Sequence, residues 1–410
     1  MLPQEVVDLI IDQLEANPAA LKSCSLVSRQ WVARTQKHLF ARVVIRSDNL
    51  RRWCQSIAPG PIGVSPYTTH LVLVAAANPL MEEPWFDPNL LKHASDHLSS
   101  FTDVHTLDVI RWKFSNEEEY AAPFAQIALT IRTLRVTSPI LDPLTFLPFI
   151  AFFHRAESIS IVHPQVTIEE FVAPDLLPTP SIAFCWTSLR LLDLSDKSLP
   201  LLDWIAQLPL RLISLSIGLQ SQSYHNDSLA GLLRASSETL QTLQLCRSAG
   251  GELSRSLNTQ ANGSRVIKGA LSAAVTPLPL SFPALPQLRS IRFCALLGVG
   301  WLRAETLLSI TSQYISRITV EMQHLLDPAI LGRAIDWDAI DRALQVLEIR
   351  SQSHRSSKMV VQFYCLAYEW KEEIRRLKES TGWLPRFERA GVIEFVSDGD
   401  QRTCERKYHL

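Results

Sequence analysis

The chain has 410 residues, with 40 basic and 41 acidic side chains and a formal net charge of −1. That balance lacks the concentrated positive field that general nucleic-acid or anionic-membrane binding requires. An apolar fraction of 47% belongs to a folded chain rather than a disordered one, and the length allows either two or three ordinary domains or one extended array.

The first residues, MLPQEVVDLIIDQ, have no basic leader, and Glu5, Asp8 and Asp12 interrupt the apolar positions. They do not read as a signal peptide. Val6, Val7, Ile10, Ile11 and Leu14 fall at helical spacing, which predicts a helix from about Pro3 to about Leu14. Proline costs nothing at a helix start, and Glu5 and Asp8 lie at the end favoured by the macrodipole. Asn17 as N-cap and Pro18 at the first helical position predict a second short helix carrying Leu21 and Cys24. Ser25 or Ser28 caps a third, with Trp31, Thr35 and Leu39 along one stripe. A unit of this size has a marginal core and needs a neighbouring domain or a partner.

Leu2, Pro3, Glu5, Ile10, Leu14, Leu21, Val27 and Trp31 match in type and spacing the pattern of an F-box, and the segment Leu2–Trp31 resembles that family. The EANPAA joint is slightly longer than usual, which affects how Leu21 packs. The resemblance implies docking on the Skp-family adaptor of a cullin-RING (SCF) ubiquitin ligase. The positions it implicates are Leu2, Pro3, Ile10, Leu14, Leu21, Cys24, Val27 and Trp31. Pro3 and the Leu21–Cys24 edge are expected to face the partner, with Trp31 mostly inside.

Beyond residue 45 one pattern recurs: apolar, two residues, apolar, one residue, apolar. It reads VHTLDV (Val104–Val109), IRTLRV (Ile131–Val136), AESISI (Ala156–Ile161), LRLLDL (Leu189–Leu194), LISLSI (Leu212–Ile217), LQTLQL (Leu240–Leu245), LRSIRF (Leu288–Phe293), ISRITV (Ile315–Val320) and LQVLEI (Leu344–Ile349). FARVVI (Phe40–Ile45) and TTHLVL (Thr68–Leu73) extend it at the start, and AGVIEF (Ala390–Phe395) at the end. Most steps are 23 to 33 residues, with helix-like stretches between the strands. One strand and one helix per step cannot bury an apolar face alone, so neighbours must stack.

The residue between the last two apolar positions is Asp108, Arg135, Ser160, Asp193, Ser216, Gln244, Arg292, Thr319 and Glu348, all polar. This alternation is that of a sheet wet on one face. A doubly wound α/β enzyme would give continuous apolar strands instead. Val44 and Val72 take the same position in the two earliest strands, so that end is expected to be covered, by the N-terminal helices or the NPLMEEPWFDP loop.

The segment 248–284 is rich in Gly, Ser, Pro and Ala and reads as a mobile insertion between repeats. QFYCLAYEWKEEIRRLKES (Gln362–Ser380) reads as an amphipathic helix capping the array. The array resembles the leucine-rich repeats of F-box substrate receptors, but lacks the usual Asn or Cys turning residue at most steps.

Catalytic signatures are missing: there is no G-x-S-x-G elbow, P-loop or zinc-ligand spacing, and GVGWLR fails the dinucleotide pattern at Arg303. The seven cysteines are scattered and form no C-x-x-C pair, which fits reduced thiols in the cytoplasm or nucleus. ILDPLTFLPFIAFF (Ile140–Phe153) is too short to span a bilayer.

The expected fold is therefore an α/β repeat: a three-helix F-box at 1–45, then an irregular leucine-rich-repeat solenoid at 46–410. The resemblance implies a non-enzymatic substrate adaptor with no catalytic residue, cofactor or metal. It would bind a Skp-family adaptor, and through it a cullin, and hold a client protein on the concave polar ladder. Neither nucleic acid nor membrane is expected as a partner. The alternatives are a repeat scaffold without ligase association and an α/β enzyme of unknown type.

Overall fold

The computed structural model describes residues 3–50, 52, 65–75, 95, 98–112, 118–141, 143–162, 165–166, 188–194, 201–202, 205–206, 208, 210–219, 226–247, 282–295, 304–322, 336–352, 359–365 and 393–397. The chain forms two compact units, Met1–Leu189 and Arg190–Leu410.

The first unit begins with α1 (Gln4–Asp12), α2 (Pro18–Ser25) and α3 (Arg29–Leu39). The Asn17 side chain accepts the Ala20 N–H at 3.1 Å, so the Asn-Pro pair starts α2 as the sequence predicts. Ser28 holds the cap position of α3 without a side-chain hydrogen bond. β1 (Arg42–Arg46) follows at once and pairs in parallel with β2 (His70–Val74). The first strand of the sheet thus lies within the span assigned to the helical module. The Thr68 hydroxyl donates to the Phe40 carbonyl at 3.0 Å and ties the end of α3 to the next turn of chain.

β3 (Thr106–Ile110), β4 (Thr133–Thr137) and β6 (Ser158–Val162) continue the sheet in the order β1-β2-β3-β4-β6, all parallel. The short β5 (Ile140–Leu141) and β7 (Gln165–Val166) pair separately. α4 (Glu118–Phe124) and α5 (Pro143–Phe152) lie in the connections. They join Tyr120, Phe124, Phe149 and Phe153 in an aromatic core, with Tyr120 edge-on to Phe149 at 5.2 Å.

The second unit repeats the scheme. β8 (Leu191–Leu194), β9 (Ser214–Leu219), β10 (Thr242–Arg247), β11 (Ser290–Ala295), β12 (Arg317–Met322), β13 (Val360–Cys365) and β14 (Ile393–Ser397) form a parallel sheet in chain order. α6 (Asn226–Ala235), α7 (Ala304–Leu308) and α8 (Trp337–Gln352) occupy connections. Among the described strands neither unit reverses its strand order, so neither shows the switch point of a doubly wound fold.

Every adjacent pair is in register. Leu71, Leu107, Leu134 and Ile159 make one buried row, as do Leu215, Leu243, Ile291 and Ile318. Loop hydroxyls bind neighbouring turns together. Thr239 donates to the Leu212 carbonyl at 2.8 Å, and the buried Ser312 donates to the Leu288 carbonyl at 2.6 Å. Each satisfies a carbonyl that the ladder leaves open.

Three sequence expectations are corrected, and a fourth falls almost wholly outside the described residues. LQVLEI is not a strand but part of α8, where Ile340, Ala343, Leu344, Leu347 and Ser351 are buried at helical spacing. The strand at this step is VVQFYC, so the segment expected as a capping helix begins with strand residues Gln362–Cys365, and its remainder lies outside the described residues. The span expected to be mobile lies outside the described residues except at its end, where Phe282 is buried and its N–H reaches Ser309 Oγ at 3.4 Å. Finally, Val72 is covered as expected, but Val44 is 45% exposed; the NPLMEEPWFDP loop lies outside the described residues.

Candidate functional site

Two surfaces carry the residues singled out in the sequence. On the helical unit, Val7, Ile11 and Leu21 form the buried core, with Leu14, Trp31 and Leu39 packed partly against it. The inward face of α1 uses residues 7 and 11, so Val6, Leu9 and Ile10 emerge together on the opposite stripe. Leu9 is 64% exposed, while Leu26 and Val27, in the α2–α3 joint, are 87% and 64% exposed. Gln4 Nε2 donates to the Gln30 carbonyl at 3.4 Å, which brings the start of α3 to the start of α1.

Of the eight positions implicated by the motif, Leu2 lies outside the described residues. Pro3, Ile10 and Val27 are exposed, Cys24 is half-buried, and Leu14 and Trp31 are partly buried. Leu21 corrects the expectation of an outward Leu21–Cys24 edge. It is buried against Val7 and Ile11 because the α2 register turns it inward. Sequence reasoning missed Val6, Leu9 and Leu26. The i, i+3, i+4 spacing of Val6, Leu9 and Ile10 was the available signal.

An ionic clamp holds this unit together. Arg34 Nε donates to Asp12 Oδ1 at 2.7 Å, its Nη2 reaches Oδ2, and His38 Nε2 lies 2.7 Å from Oδ1. The Arg34 hydrogen bond, followed by that of His38, holds the Asp12 carboxyl well below the ordinary carboxylate range. The same contact raises the guanidinium of Arg34. The clamp fixes the end of α1 on α3 and leaves the apolar stripe turned outward.

The second surface is the polar ladder. In the first unit, Val44, Val72, Asp108, Arg135 and Ser160 are direct register partners. In the second, Asp193, Ser216, Gln244, Arg292, Thr319, Gln362 and Glu394 are. Eight of the nine predicted residues therefore sit in these rows. The ninth, Glu348, is on α8, and Gln362 occupies the ladder position expected for it. A run of apolar, polar and charged residues fits both periods at Leu344–Ile349, and helical packing decides it.

Most ladder residues are half-buried and Arg135 is exposed. Asp108 departs from the expected solvent-facing role: it is only 8% exposed, pairs with His70 Nε2 at 2.8 Å and lies 4.0 Å from Arg135 Nη1. His70 was missed in the sequence, although it shares the face of Val72 two residues on. Thr319 Oγ1 donates to Gln362 Oε1 at 3.4 Å, linking two rungs.

A depression of about 390 Å³ in the second unit is lined by Arg190, Arg211, Ile213, Glu238, Thr239 and Gln241, among others. It lies at the N-terminal ends of β8, β9 and β10, opposite the carboxyl ends where open α/β sheets bind ligands. Among the described residues no cluster of three or more His, Cys, Asp or Glu side chains is arranged to hold a metal, and no helix is long and apolar enough to cross a membrane. No protein-family model matches the chain, and no curated protein matches it.

Proposed function

We propose that the chain is the substrate-recognition adaptor of an SCF-type cullin-RING ubiquitin ligase. In this reading α1–α3 form an F-box that binds a Skp-family adaptor. The strand-and-helix array is an irregular leucine-rich-repeat solenoid that holds a client protein on its polar ladder. The observation carrying the proposal is the division of labour on α1: Val7 and Ile11 are buried while Val6, Leu9 and Ile10 stay outward. Leu26 and Val27 of the α2–α3 joint are exposed as well. Exposed apolar surface concentrated on so small a unit supports a protein interaction site. Parallel strands stacked in chain order with a polar row in register support the repeat reading.

The mechanism is proximity. The adaptor contributes no bond-making group. It holds client lysines at high effective concentration near the charged conjugating enzyme. The mixed composition of the ladder, with Arg135, Asp193 and Arg292 among hydroxyls and amides, suits an irregular protein surface.

The test is affinity capture under proteasome inhibition, comparing the intact chain with a deletion of residues 1–39, which leaves β1 in place. The adaptor reading predicts that cullin is captured only by the intact chain while the client is captured by both. Equal client capture with no cullin on either chain would favour the scaffold without ligase association.

A further inference from the structure

The depression at the N-terminal ends of β8, β9 and β10 lies off the polar ladder: Arg190, Ile213 and Gln241 each stand three residues before a ladder position. They occupy consecutive rungs with Arg289. The Ile213 N–H donates to the Arg190 carbonyl, that of Gln241 to Ile213, and that of Arg289 to Gln241, each at 2.8 Å. Rungs of a ladder are about 4.8 Å apart, so the 37% exposed Ile213 is an apolar strip between Arg190 and Gln241.

The loops around this strip are tied to each other. The Thr239 hydroxyl donates to the Leu212 carbonyl at 2.8 Å, and the buried Ser236 hydroxyl accepts the Leu212 N–H at 3.4 Å. These bonds hold the loop carrying Glu238 against the loop carrying Arg211. Arg190 Nη1 donates to the Arg211 carbonyl at 3.4 Å, which lays its guanidinium across the same loop. Arg211 and Glu238 line one depression with opposite charges, yet neither forms an ion pair among the described residues.

We infer that this depression binds a small molecule with two carboxylates and one ammonium group, the class of the acidic amino acids. The lining contributes two guanidiniums and one carboxylate, and Arg289 adds positive charge on the next rung. A guanidinium takes a carboxylate through two parallel hydrogen bonds. A dicarboxylate without a cation sets its charge against Glu238, and an amine without a second carboxylate leaves a guanidinium unanswered; juxtaposed like charges are unfavourable. A ligand with both signs and a net negative charge matches the whole lining, with its carbon chain on Ile213 and the Gln241 amide beside it. A volume of about 390 Å³ is at the small end of the roughly 300–1,000 Å³ range of ligand sites, which limits the ligand to about the size of one residue.

The experiment is calorimetric titration of the full chain with L-glutamate, with glutarate, which lacks the ammonium, and with γ-aminobutyrate, which lacks one carboxylate. A peptide amide with an N-terminal glutamate, bearing the ammonium and a single carboxylate, separates a free ligand from a polypeptide end. The expected result is binding of L-glutamate, with the other three weaker by about fivefold or more, as for loss of one exposed charge contact. Arg211→Gln weakens L-glutamate and glutarate alike. Glu238→Gln weakens L-glutamate but leaves glutarate at least as tightly bound as on the parent chain. Both side chains are exposed, so both variants keep the parent's thermal midpoint, and the ligand series on the parent chain needs no substitution. No binding of L-glutamate at millimolar concentration, equal binding of glutarate or γ-aminobutyrate, tighter binding of the peptide amide, or variants without effect would overturn the proposal. The titration needs neither adaptor nor client, so it stands apart from the ligase reading.

Discussion

Replacing Leu26 with alanine separates a docking surface from a core. Leu26 is 87% exposed at the end of α2, so its loss changes stability by no more than about 0.5 kcal/mol. Sheathed by a partner, a leucine contributes about 1.5–3 kcal/mol relative to leaving it exposed. Alanine retains part of that area, so binding loses about 1–2 kcal/mol, or roughly 5- to 30-fold in Kd. Ile11→Ala is the control. Ile11 is fully buried, and its truncation costs about 2–5 kcal/mol in a helical unit whose core supplies only a few. Calorimetric titration with a purified Skp-family adaptor measures the first effect. Amide hydrogen exchange over residues 4–39 measures the second. Leu26→Ala should weaken binding with unchanged protection, and Ile11→Ala should abolish both. A Leu26→Ala chain that binds within twofold of the parent, or loses protection as Ile11→Ala does, would refute the reasoning.

Four further outcomes follow from the structure. Asp12→Asn loosens the α1–α3 clamp, so helix protection falls while the array, followed by exchange over β9–β12, keeps its own. Because folding depresses the Asp12 pKa, its contribution is present above the unfolded value of about 3.9 and is lost as pH falls below it. An acid titration of helix exchange should therefore show a transition on that side that Asp12→Asn lacks. Ser138, just after β4, has a φ of 49°. Ser138→Gly relieves a left-handed conformation costing about 1–2 kcal/mol against a glycine penalty of about 0.5–1 kcal/mol, so the thermal midpoint should hold or rise; a fall would contradict it. Phe149, buried between Tyr120 and Phe153 at 5.2 Å each, should cost about 3–5 kcal/mol as Phe149→Ala, read by denaturant unfolding.

Local signals with a single physical reading survived folding. The Asn17-Pro18 pair started α2, and the period-two alternation of LQTLQL, LRSIRF and ISRITV gave strands whose polar members align in register. Errors arose where a segment satisfied two periods. Leu344, Leu347 and Ile340 suit a helix as well as Leu344, Leu347 and Ile349 suit a strand, and burial on α8 selected the first. Facing was harder still. Leu21 is a motif position, yet whether it looks inward depends on the angle between α2 and α1, which no local pattern encodes. Asp108 was legible as polar but not as buried, because its cover, including His70, comes from the preceding strand. Val44 shows the same limit in reverse: an apolar side chain reveals a preference for cover, not that anything supplies it.

The most direct test of the central claim is co-elution of the purified intact chain with a Skp-family adaptor and a cullin N-terminal domain on size-exclusion chromatography at micromolar concentration. The account predicts a single equimolar complex that Leu9→Ala/Leu26→Ala disrupts without unfolding α1–α3. Elution of the chain apart from a preformed adaptor–cullin pair, with the helices protected from exchange, would contradict it.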